Sequence, residues 1–97
     1  MTDESLDYVN ECYEVLKDLN IIDSKYQFSK QFLGKCSNYY GVMLCENRKA
    51  PNDMLYYLNQ KMAQLAECFN DSRLKPLLAK GTDLLNKRFE RYLRCLK

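Results

Sequence analysis

The sequence predicts an all-α fold of five or six helices. Three observations carry that prediction. Apolar residues recur at steps of three and four along most of the chain, no segment alternates polar and apolar long enough for a strand, and only three glycines and two prolines interrupt 97 residues. A chain of this length makes one domain with a modest core, and 46% hydrophobic with 29% charged residues is ordinary globular composition.

The first helix spans about 4–19. Leu6, Val9, Tyr13, Leu16 and Leu19 form its apolar stripe, and Glu4, Asp7, Glu11, Glu14 and Asp18 form a second line nearly opposite. Asn20 ends it, and Ile21-Ile22 drops into the core. Ser24-Lys25-Tyr26-Gln27 has the spacing of a capping box and opens a short helix with Phe28 and Phe32 one turn apart. Gly34 supplies the left-handed residue that closes it. Ser37 caps a second short helix over about 38–45, with Tyr40 and Leu44 inward, and Asn47 stops it. After a loop through Pro51, Asn52 caps a helix over about 53–69, striped by Leu55, Leu58, Met62, Leu65 and Phe69. Leu74, Leu78, Gly81, Leu85, Phe89, Tyr92 and Leu96 keep one phase, so a single helix from about 73 to 96 fits best, with Pro76 near its start. A break at Gly81-Thr82, with Thr82 as a new cap, is the alternative.

These elements form one domain over 1–97, in three parts: an acidic helix within 1–22, a core over 23–70 and a basic helix within 71–97. Residues 1–23 hold seven acids and one base, 24–49 five bases and one acid, 50–72 three acids and one base, and 73–97 eight bases and two acids. The net +2 therefore hides strong local fields.

Composition also excludes chemistry. The absence of His removes imidazole acid–base catalysis and His-ligated metals. Cys12, Cys36, Cys45, Cys68 and Cys95 include no Cys-x-x-Cys pair, and their number is odd. They are expected to be reduced and mostly buried as small apolar fillers, with no metal and no cofactor. No apolar run approaches the roughly 18 residues that cross a bilayer. Met1-Thr2-Asp3-Glu4 lacks the basic and apolar regions of a secretory signal, so a cytoplasmic protein is expected. Binding, rather than catalysis, is the expected activity.

The informative stretch runs from Tyr26 to Leu65: a short helix ending at Gly34, a tight turn, a second short helix, a basic loop and a longer amphipathic helix. Through Phe32-Leu33-Gly34, Ser37, Asn47-Arg48-Lys49-Ala50-Pro51-Asn52 and Leu55 to Leu58, it resembles the Cro/C1 (lambda-repressor-like) helix-turn-helix family. It departs from that pattern with Cys45 at the family's Glu position and Asn47 at its Gly position. The Gly34-to-Asn47 spacing is one residue longer, which puts Gly41 near an apolar position. Phe28-Ser29, Leu33-Gly34 and Tyr39-Tyr40 are similar to small bacterial domains that carry the same pairs. The resemblance implies a central helix-turn-helix and sequence-specific binding of double-stranded DNA, as in a transcriptional regulator of bacterial or phage type. It implies that 38–45 enters the major groove, with Asn38, Tyr39, Val42 and Met43 toward base edges, Asn38 suited to adenine and Val42 to a thymine methyl. Lys30, Lys35, Arg48 and Lys49 would then face phosphates.

The residues leave a second reading open. The segment 38–45 has no Arg, Lys or Gln, so the same scaffold could serve as a non-catalytic protein-interaction module, exposing Tyr39, Val42 and Met43 as an apolar patch. The charged ends have their own alternatives. The acidic line and the basic line Lys80, Lys87, Arg91 and Arg94 are two solvated faces, or they meet across a homodimer whose seam is Leu85, Phe89, Tyr92 and Leu96. A third option is that the basic helix extends the DNA footprint. In the adjacent pairs Tyr39-Tyr40 and Tyr56-Tyr57, one ring of each is expected to pack.

Overall fold

The computed structural model describes residues 4–95, with side chains through Glu90. It has five helices and, among the described residues, no strand: α1 (Glu4–Asp18), α2 (Lys25–Gln31), α3 (Tyr39–Glu46), α4 (Asn52–Cys68) and α5 (Leu74–Cys95).

The helix ends follow from residues that tolerate a left-handed backbone. Asn20 has φ 61°, which brings its N–H to Lys17 O and that of Ile21 to Leu16 O, both at 3.0 Å. Asn47 repeats the motif at φ 51°, with Arg48 N–H on Met43 O at 3.0 Å. Gly34, at φ 65°, turns the chain after α2. Ser24 caps α2 as expected, its Oγ accepting from Gln27 N–H. Two other expected caps are corrected. Ser37 does not cap α3; Asn38 takes that position without a side-chain cap bond. Pro51 takes the cap position of α4, and Asn52 is already helical.

The start of α3 is capped from another helix instead. Buried Ser29 Oγ donates to Lys25 O and accepts from the Tyr40 N–H, each at 3.0 Å. Three rings reinforce this joint: Tyr13, Phe28 and Tyr40 pack with centroids 4.9–5.4 Å apart. The Tyr40 hydroxyl donates to Asn10 Oδ1 at 2.5 Å, so α1, α2 and α3 meet at one aromatic knot.

Helices α1 and α5 run antiparallel and carry an ion-pair ladder. Glu4 pairs with Lys87 at 3.7 Å, Glu11 with Lys80 at 2.6 Å and Asp18 with Arg73 at 3.1 Å. Both helices step by seven, the spacing that keeps flanking charges in register along a helix pair. Lys80 and Lys87 of the expected basic line thus meet the acidic line within one chain, while the Arg91 and Arg94 side chains lie outside the described residues.

Helix α5 is continuous through Gly81, so the alternative break does not occur. Gly81 is where α1 and α4 press closest: a Cβ there would collide with Tyr8 Oη and lie 2.7 Å from Asn59 Oδ1. Its inward seam is Leu74, Leu77, Gly81 and Leu84, not Leu78 and Leu85, which are half-buried at its edge. The α4 stripe holds at Leu55, Leu58 and Met62, while Phe69 is exposed. Cysteine burial is also corrected: Cys12 is buried, but Cys36, Cys45 and Cys68 are exposed. Tyr40 packs while Tyr39 is half-buried; Tyr56 and Tyr57 are both exposed.

Candidate nucleic-acid interface

The surface to be weighed is built by α2, the Gly34 turn, α3 and the loop up to Pro51. Asn38, at the start of α3, is exposed, and its Oδ1 accepts from Cys36 Sγ at 3.1 Å. Val42, one turn on, is 40% exposed. Tyr39 is half-buried, with Lys35 Nζ 5.7 Å from its ring centroid, a cation–π contact.

Met43 is corrected. It is 1% exposed and belongs to the core, so it reads no base and joins no surface patch. Tyr40 points inward, and a residue three further along a helix shares its face. The inward pair is therefore Tyr40 and Met43, with Leu44 half-buried beside them. Gly41 keeps open space around it, with nothing within 4 Å of where a Cβ would stand.

The four expected phosphate contacts divide into two kinds. Lys30, in the last turn of α2, and Lys49, in the loop, are exposed. Lys35 and Arg48 have carboxylate partners. Lys35 pairs with Asp53 at 3.0 Å, and that hydrogen bond raises the lysine's pKa and holds the Asp53 carboxyl below its ordinary range. Arg48 pairs with Glu46 in the turn that closes α3. Sequence reasoning missed both partners. Their signals were an acid in the first turn of α4 and an acid two residues before an arginine at a turn. It also missed Ser29, whose signal was a small polar residue beside Phe28 on the inward face of α2.

A groove of about 720 Å³ runs along the outer side of α3 to the start of α2. Tyr26, Val42, Leu44 and Cys45 give it an apolar wall; Lys17 and Lys25 are balanced by Asp23 and Glu46. On the other side of the molecule, Leu85 is half-buried and Phe89 is 59% exposed, beside exposed Tyr56. The Tyr92 side chain and Leu96, the rest of the expected seam, lie outside the described residues.

Among the described residues, no group of three or more Cys, Asp or Glu side chains is placed to hold a metal ion, and no helix is long and apolar enough to cross a membrane. No curated protein and no solved structure matches the chain. A family model described as a family of unknown function (DUF6626) matches residues 9–95, from the second turn of α1 to the end of α5, and the chain belongs to that family.

Proposed function

We propose that this chain is a helix-turn-helix protein of the Cro/C1 kind that binds double-stranded DNA in the cytoplasm as a homodimer and acts in transcriptional regulation. One observation carries the reading. A short helix is locked onto α2 by the Ser29–Tyr40 bond, and Asn38 at its start and Val42 one turn on are exposed, as are the cations Lys30 and Lys49. A fixed helix with an exposed amide at its start suits a groove that offers base edges. The pairs Lys35–Asp53 and Arg48–Glu46 do not oppose it, because exposed surface pairs are weak and can exchange for phosphate. Leu85 and Phe89 supply the apolar surface against which a second copy would pack.

Affinity for a mixed-sequence duplex, measured against salt, tests this. Four phosphate contacts per chain, eight in the dimer, give a slope of log K on log salt of about −7. Arg48→Ala with Lys49→Ala removes four of the eight and should reduce that slope by about half. Sedimentation of the free protein should show a dimer that Phe89→Ser disperses. No gel shift at low salt rejects the reading.

A second reading has its own support: α3 carries Glu46 and no cation, and its groove is apolar-walled with balanced charges. This is the surface of a non-catalytic protein-interaction module. That reading predicts no duplex binding at any salt, together with protection of Tyr26 and Val42 by a protein partner.

A further inference from the structure

The loop between α3 and α4 is held at both ends. At its start, Asn47 N–H reaches Leu44 O at 3.2 Å and Arg48 N–H reaches Met43 O at 3.0 Å. At its end, Ala50 is buried, and both of its backbone groups are taken by side chains from distant helices. Its N–H donates to Ser5 Oγ of α1 at 3.1 Å. Its carbonyl accepts from Arg88 Nη1 of α5 at 2.6 Å. The same guanidinium nitrogen donates to Asn52 Oδ1 at 2.7 Å, tying the loop to the first turn of α4 as well. Lys49 alone lies between the two anchors, and it is exposed.

We propose that Arg88 is a positioning residue for the Arg48–Lys49 loop: it fixes the loop before any ligand arrives and does not touch the ligand itself. The chemistry favours this division of labour. A charge-assisted bond to a buried carbonyl is stronger than a neutral one, and the planar guanidinium can serve two acceptors at once. A loop ordered in advance loses no conformational freedom on binding, so its cations act at full strength. Arg88 also sits on α5 between Leu85 and Phe89, and with Asn52 and Tyr56 they line a cleft of about 230 Å³. The loop and the expected dimer seam thus share one side chain. The functional half of this inference rests on the DNA-binding reading; the clamp itself does not.

The test uses the full chain as wild type, Arg88→Lys, Arg88→Met and Lys49→Ala, with a short mixed-sequence DNA duplex as the probe. Amide hydrogen exchange is followed residue by residue, and duplex affinity is measured at several salt concentrations. Both Arg88 variants should speed exchange of the Ala50 amide about tenfold or more relative to mid-α4 amides such as Leu58. They should weaken duplex binding roughly five- to tenfold and leave the salt slope at its wild-type value. Lys49→Ala should do the reverse, lowering the slope of the dimer by about 2 (one contact per chain) and leaving exchange unchanged. A role in general stability would speed exchange throughout the protein instead. Unchanged Ala50 exchange in Arg88→Met overturns the clamp, and a slope lowered by about 2 in that variant overturns positioning by making Arg88 a phosphate contact. A wild-type chain that fails to bind at low salt overturns the DNA reading, and the exchange arm then decides the clamp alone.

Discussion

Tyr8 and Cys12 lie one turn apart on the inner side of α1, and neither meets solvent. Burial pushes the Cys12 thiol from an ordinary 9.0 up to about 12 and raises the Tyr8 and Tyr40 phenols above their ordinary range. The folded state therefore keeps protons that the unfolded chain has already lost. The stability these groups contribute is complete below about pH 9, and the Cys12 share disappears between there and about pH 12. Unfolding free energies from urea denaturation should fall from about pH 9 upward, by no more than about 1.4 kcal/mol per pH unit for each group. Cys12→Ala should flatten the start of that fall. A thiol reagent at pH 8 should modify exposed Cys36, Cys45 and Cys68 in the folded protein and spare Cys12. Rapid labelling of Cys12 without unfolding would contradict its burial.

At the scale of single helices, Gly81 gives the sharpest test. Alanine there gains about 1 kcal/mol of helix propensity but drives a methyl group into Tyr8 Oη and Asn59 Oδ1, an overpacking that costs typically 1–3 kcal/mol. Gly81→Ala should therefore destabilise by up to about 2 kcal/mol in chemical denaturation. Tyr8→Phe removes the colliding oxygen but leaves the ring carbon Cζ at 2.5 Å, so the double variant should recover only part of the loss. The same helices show what the sequence could tell. Every helix was legible to within two residues at its start, because Asn20, Gly34 and Asn47 mark left-handed ends and Pro51 and Pro76 mark beginnings. Which side faces inward was less legible wherever two apolar residues are adjacent. Leu77-Leu78 and Leu84-Leu85 each admit either seam of α5, since both step through Gly81 by threes and fours; the structure buries Leu77 and Leu84. Met43-Leu44 poses the same ambiguity in α3, where the sequence admits either residue inward and the structure buries Met43. Contacts such as Ala50 with Ser5 and Arg88 had no local signal at all, since they join positions 45 and 38 residues apart.

Across the whole molecule, the ladder between α1 and α5 accounts for much of the charge segregation. Each rung is exposed and contributes about 0.2–1 kcal/mol, so the ladder sets the register of the two helices more than it holds them together. Glu11→Lys should lower stability by up to about 1 kcal/mol, and Lys80→Glu added to it should restore most of that loss. A loss that the exchange leaves untouched would show that the rung does not form in solution. The same geometry has a consequence for how the chain is made. The inner face of α1 is made before α5, and Lys80 follows its partner Glu11 by 69 residues. At about 5–20 residues per second, α1 waits roughly 3–14 seconds for that partner. During biosynthesis its greasy side must be tolerated bare, and the α1–α5 seam closes only when α5 has been translated.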